Sequence, residues 1–295
     1  MLHRLLLALL VFSTVGCASH LPARPGEKVH RNLLFASPQG HDLHMDLYVP
    51  RPGPDGKPAP VVVWVFGGSW KFGSKGFHLV LRDLPRHGIA VAAIEYRFSR
   101  VAKYPAQLED CRAAVKWLQE NGSRYGVDAS RMGASGESAG ALLAANLGLI
   151  DGPPAIRAVC ALYPPTDLVS LGRMYVRPDK IGTIEKLIGG DLEEKIAVAR
   201  DASPVNHVSS RAAPFLIMHG GFDGIVPVEE SETLHEKLLK AGVDSQFIVF
   251  PFRHHWFNLS DKDVARVAAF FHKHLDHPSA PQQSARRPSN PMNCR

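Results

Sequence analysis

The sequence predicts an α/β protein with a mostly parallel central sheet, helices on its faces and a cap or lid insertion. Three observations predict it. Residues 60–66 (PVVVWVF) form a continuous apolar run of strand length stopped by Gly67-Gly68, the pattern of a strand buried on both faces. Strand-like and helix-like segments then alternate as far as residue 275, and a repeated β-α-β order forces crossover connections and parallel strands. Between about 164 and 212 the rhythm lapses for nearly fifty residues. An irregular insertion of that length in a compact domain is generally functional, and here it would cover the carboxyl edge of the sheet, where open α/β sheets bind ligands.

Taken in order, residues 43–49 alternate and predict an antiparallel edge strand ahead of the 60–66 strand. Residues 77–87 have helical spacing and 89–96 repeat the apolar strand pattern. Over 106–125 the apolar positions Leu108, Cys111, Val115 and Leu118 make a helix stripe. A short strand at 131–135, a helix at 138–150 and strands at 156–162 and 215–219 follow. A helix at 228–241, a strand at 246–251 and a final helix at 261–275 complete the series. The domain so defined spans 27–276.

The two ends differ from this body. Residues 1–18 begin with His3 and Arg4, run apolar from Leu5 to Phe12 and finish in small residues, which predicts an export signal too short to span a membrane as a mature helix. Gly16-Cys17 resembles the lipidation site of a bacterial lipoprotein signal, and an acylated Cys17 would tether the protein to a membrane. Cleavage after Ala18 would instead give a soluble periplasmic or secreted protein. Residues 277–295 contain four Pro and almost no aliphatic residue, so they cannot bury enough surface to offset their ordering and predict a disordered tail.

Charge narrows the partners. Of the net +6, five charges come from residues 1–26 and 277–295, because residues 27–276 hold 29 basic and 28 acidic side chains. A nucleic-acid binder needs a basic stripe in its body, so no nucleic-acid partner is expected. Four Cys in 295 residues exclude a disulfide scaffold; Cys111 and Cys160 lie in apolar periodic segments and read as buried thiols, and Cys294 as exposed. Fifteen His show no HExxH or CxxC-type spacing, so neither a metal nor another cofactor is expected.

The chemistry concentrates at predicted strand ends. Gly136-Glu137-Ser138-Ala139-Gly140 lies between a strand and a helix, where G-x-S-x-G makes a tight turn that lifts the Ser138 hydroxyl above the sheet. A serine needs a base within reach and an acid to orient that base. Asp223 follows the 215–219 strand in an exposed loop, and His254 and His255 follow the 246–251 strand. The order Ser138, Asp223, His255 is the one this fold requires. An oxyanion would be met by the Ala139 amide and by Gly68 and Ser69 in the loop after the 60–66 strand. Trp70 reads as a wall of the acyl pocket or as core. Glu137 is expected to pair under the turn with Arg97 or another basic group, Asp110 to be structural for the same reason, and His219 to be a satisfied core histidine. Met174, Tyr175 and Leu187 are candidates to touch substrate from the insertion.

Several stretches together resemble a known family. They are Gly67-Gly68-Ser69-Trp70, Glu95-Tyr96-Arg97, Tyr104 through Asp110, Arg131-Met132-Gly133, Gly136 through Gly140, Ala202-Ser203-Pro204, and His219 through Pro227. The run from Val61 to Phe257 resembles α/β-hydrolase serine esterases of the hormone-sensitive-lipase or feruloyl- and acetyl-esterase kind. The resemblance implies a carboxylesterase-type hydrolase of small or carbohydrate-linked esters and aligns the family's histidine with His255, leaving His254 as the alternative. Phe66 stands where that family usually has His, and His254 and Trp256 stand where it tends to have Gly. Arylformamidases and some peptidases share these motifs, and Phe66 favours a third alternative, a hydrolase-fold binding protein without catalysis.

Overall fold

A computed structural model of the chain describes residues 23–53, 56–76, 78–174 and 182–276. The expected export signal with Cys17, the expected tail with Cys294, and Tyr175 lie outside the described residues.

One eight-stranded sheet organises the described residues, in the order β1-β2-β4-β3-β5-β6-β7-β8. Strands β1 (Lys28–Ala36), β2 (Leu43–Val49), β3 (Ala59–Val65) and β4 (Ala90–Ile94) form one half. Strands β5 (Val127–Glu137), β6 (Val159–Leu162), β7 (Phe215–Gly220) and β8 (Ser245–Phe250) form the other. β2 is antiparallel to both neighbours, and every pairing from β4 to β8 is parallel. Because successive strand residues face opposite sides, the continuous run in β3 feeds two cores at once. Val61, Val63 and Val65 pack on one face, Val62 and Trp64 on the other, all of them inaccessible to solvent. Each such side chain contributes about 1.5–3 kcal/mol by leaving water.

Helices α1 (Ala106–Asn121) and α2 (Ala139–Asn146) cover the first face, and α7 (Asp261–Leu275) covers the second. α7 starts at a reciprocal cap in which Ser260 Oγ accepts from the Asp263 amide and Asp263 accepts from the Ser260 amide. The insertion between β6 and β7 is not irregular throughout: it contains α3 (Leu168–Met174), α4 (Thr183–Ile188) and α5 (Ile196–Ala202). Its entry is anchored by Glu230 of α6 (Val228–Lys240), whose carboxylate accepts from the Thr166 and Asp167 amides at 2.6 and 2.7 Å.

Two expectations need correction. Residues 43–49 are antiparallel but not at the edge, because β1 lies outside them; two register shifts and Asn32 at φ 49° break the alternation that would have marked β1. Where a helix is expected at 77–87, the described residues 78–87 form a series of turns ending in one 3₁₀ turn at Leu84–His87. Leu79, Leu81 and Leu84 are buried there without helical support, and Pro85 and the left-handed Gly88 stop propagation. Of the two partners open to Glu137, Arg97 pairs instead with Asp110, and the other basic group is His78.

The Arg97–Asp110 pair is buried and forked: Nε and Nη2 donate to the carboxylate at 2.7–3.0 Å, and the Arg97 amide adds a bond of 2.8 Å. Asp110→Ala would strand a buried guanidinium, so urea unfolding should show a loss of about 3–5 kcal/mol; an unchanged midpoint would show that the pair is dispensable.

Candidate active site

The strand order reverses between β3 and β5, and the loops leaving their carboxyl ends diverge there to open a crevice. The turn after β5 carries Ser138 at φ 50°, ψ −123°, a conformation that costs a non-glycine residue about 1–3 kcal/mol and turns its hydroxyl away from the sheet. Close packing makes that turn possible. A Cβ on Gly140 would lie 2.2 Å from the Val65 carbonyl oxygen, and one on Gly136 would lie 2.5 Å from that of Gly140. The Ser138 amide donates to the Leu162 carbonyl at 2.9 Å, which ties the turn to β6.

From the ends of β7 and β8, Asp223 and His255 reach the same point. His255 Nδ1 lies 2.6 Å from Asp223 Oδ2, and its Nε2 lies 3.0 Å from Ser138 Oγ. An ionised carboxylate can only accept, so Nδ1 carries the proton and Nε2 is free to accept from the serine hydroxyl. His254 instead bonds the Phe222 carbonyl through Nδ1 at 2.9 Å and is turned away. It is His255, not His254, that bridges the acid and the serine.

Asp223 corrects the expectation of an exposed acid, because its side chain is inaccessible to solvent. Oδ1 accepts the Ile225 and Val226 amides, both at 2.9 Å. Oδ2 accepts His255, and His219 Nε2 lies 3.2 Å from the same oxygen. His219 Nε2 is also 2.9 Å from the Val226 carbonyl, so it carries hydrogen, and Nδ1 accepts from the Ser231 hydroxyl at 2.6 Å. The sequence reading of His219 as a satisfied core residue understates it: the ring also braces the acid. Its spacing of four from Asp223 was the available signal.

The loop after β3 lies against the serine turn. Gly68 adopts φ 109°, and a Cβ there would fall 2.1 Å from the Phe72 carbonyl oxygen, so the loop tolerates only glycine. Ser69 and Trp70 follow at φ 55° and 56°. Trp70 is buried and lines the cavity, and its indole Nε1 donates to the Ala139 carbonyl at 3.1 Å. Phe66 is buried, stacked on Tyr96 with centroids 4.5 Å apart, and Tyr96 Oη donates to the Phe66 carbonyl at 3.1 Å. Aromatic packing thus supports this loop.

A cavity of about 360 Å³ opens on Ser138, Ser69 and Ala139. Leu171 and Ile184 of the insertion and Ile225 and Val226 beside Asp223 supply its apolar wall, and Thr183 and Glu185 its polar side. Lys71 Nζ donates to Thr183 Oγ1 at 3.1 Å, tying the β3 loop to the insertion. Of the insertion residues expected to meet substrate, Leu187 is buried and Met174 is exposed, and neither lines this cavity. Among the described residues no group of three or more His, Cys, Asp or Glu could hold a metal ion.

Comparison with known proteins places this geometry. Residues 45–238 match the BD-FAE family model. The chain belongs to the BD-FAE family. Esterase LipC of Mycobacterium tuberculosis is 32% identical over 221 residues, covering 70% of this chain and 55% of that protein. Esterase LipQ of the same organism is 28% identical over 248 residues, covering 79% and 58%. The chain therefore spans little more than half the length of these relatives. A truncated carbohydrate esterase from gut microbiota superimposes with a TM-score of 0.77 at 25% identity, covering 87% of this chain and 99% of that one. This BD-FAE member has the α/β-hydrolase fold of serine esterases.

Burial disfavours the Asp223 charge, but the bonds from His219, His255 and the Val226 amide outweigh it and hold the carboxyl well below the usual carboxylate range. That stabilisation is complete above the unfolded-state pKa of about 4 and is lost as pH falls through the lower folded value. Asp223→Asn should flatten the acid arm of unfolding free energy against pH below about pH 4; the same slope in both proteins would show that the network is not coupled to folding.

Proposed function

We propose that the protein is an exported serine carboxylic-ester hydrolase that works through an acyl-enzyme on small or carbohydrate-linked esters. The single observation that carries the reading is the continuous hydrogen-bonded line from Asp223 through His255 to Ser138 Oγ. As Ser138 Oγ attacks the ester carbonyl, His255 Nε2 takes its proton and Asp223 stabilises the resulting imidazolium. The carbonyl oxygen, now an anion, is met by the amide of Ala139 and by those of Gly68 and Ser69. Collapse breaks the bond to the alcohol, which leaves with the proton from His255. Water, deprotonated by the same imidazole, then attacks the acyl carbonyl and releases the acid and Ser138.

Cavity size supports a short acyl group, since 360 Å³ is near the small end of ligand pockets. The carbohydrate esterase among the structural relatives supports sugar-linked esters. Export rests on residues 1–18; acylation of Cys17 would add a membrane tether, and cleavage after Ala18 would give a soluble protein.

Ser138→Ala should fold as the parent does and lose p-nitrophenyl acetate turnover to background, a drop of up to about a million-fold. Turnover surviving in the variant would remove the reading. Fluorophosphonate should label the parent at Ser138; a protein that folds but does not label would be the inactive binding protein that Phe66 raised as an alternative. In a panel of acetyl, aromatic and long-chain esters with an N-formyl aryl amide, the short ester should give the highest kcat/KM, and a dominant amide would move the protein to the arylformamidase reading.

A further inference from the structure

We propose that Tyr163, backed by Glu137 and His78, is a positioning residue that fixes the His255 imidazole on the line between Asp223 and Ser138. The inference rests on reading His255 as the general base. It begins with a buried acid for which the reaction steps have no use: Glu137 adjoins the nucleophile and is 1% exposed. A carboxylate in such a place needs donors. Two converge on its Oε2, the Tyr163 hydroxyl at 2.6 Å and His78 Nδ1.

The direction of these bonds follows from the groups. Burial, and then the neighbouring Glu137, push the Tyr163 phenol well above its usual range, so it donates. The bond to Glu137 raises the His78 imidazole against the opposing effect of its burial, so His78 donates as well. His78 also bonds the side chain of Asn258, three residues beyond His255 on the same loop. The chain of contacts is therefore closed. It leaves the His255 loop at Asn258, passes through His78 and Glu137, and returns to the His255 ring through Tyr163.

Tyr163 completes that return with its ring. Its centroid lies 4.6 Å from that of His255 at 60°, and 5.1 Å from that of Phe257. It stands just after β6 at φ 41°, in the left-handed region that bulky side chains avoid, so its surroundings hold it there. A second aromatic neighbour of the imidazole is the half-exposed Trp256, at 5.6 Å. An imidazole so flanked can rotate only if Tyr163 moves, and Tyr163 can move only if its bond to Glu137 breaks. Reaction rate depends steeply on such alignment, whereas ester binding in the cavity does not involve these groups.

The test is kinetic, on the full chain with p-nitrophenyl acetate and with active sites counted by fluorophosphonate labelling. Tyr163→Phe keeps the ring and removes the anchor; Glu137→Gln keeps the shape and removes the charge. Each should lower kcat about tenfold with KM within about twofold, and the double variant should be little worse than the poorer single one, because both cut the same chain. Asn258→Ala, at an exposed position, cuts the chain at its far end and should lower kcat about threefold even if Glu137→Gln fails to fold. Unchanged kcat in Tyr163→Phe and Asn258→Ala, or losses that multiply independently in the double variant, would overturn the proposal while active parent enzyme leaves the ester-hydrolase reading intact. A parent that neither turns over ester nor labels would remove both.

Discussion

The conformation of Ser138 is the constraint from which the rest of the site follows. A non-glycine residue at φ 50° persists only where its surroundings leave it no alternative. Here β3 crowds the turn so closely that neither flanking glycine has room for a methyl group. The same crowding brings the loop after β3 beside the first turn of α2, where Trp70 spans the two by bonding the Ala139 carbonyl. Sheet packing, the presentation of Ser138 and the loop after β3 are thus one arrangement, and its strain is offset by the two apolar cores that β3 and β5 join.

Around that turn, the buried carboxylates are accommodated by a common rule. Asp223 receives two amides and two imidazoles, Glu137 a phenol and an imidazole, Glu230 two amides, and Asp110 a guanidinium and an amide. Each acid ties segments distant in sequence. A buried charge without such donors would cost several kcal/mol, so these acids are strict tests of whether the chain has reached its native arrangement.

Much of this could be read before any coordinates. The runs in β3 and β4 are apolar at every position because both sheet faces are covered, and that pattern does not depend on knowing the neighbours. The G-x-S-x-G turn and the later Asp and His could be placed at strand ends because strand ends are visible as interruptions of apolar runs. Residues 77–87 carry a helix-like pattern because buried leucines spaced like a helix also suit a chain of turns lying on a sheet, and only Pro85 and Gly88 mark the difference. β1 leaves no period of two in the sequence because its register shifts erase it. Glu137 meets His78 and not Arg97, since charge balance says that a buried acid needs a donor but not which one arrives.

The order of elements, the chemical identity of the three residues and their common edge of the sheet are local properties of the chain, set by hydrophobic period, turn chemistry and residue type. Which of two adjacent histidines faces the serine, that Asp223 is buried, and that Tyr163 lies against His255 are properties of packing. They arise from segments separated by tens to more than a hundred residues, whose approach depends on sheet twist, loop path and the filling of space. No one-dimensional pattern encodes those distances, because the energy that selects among them belongs to contacts that exist only once the chain has closed around them.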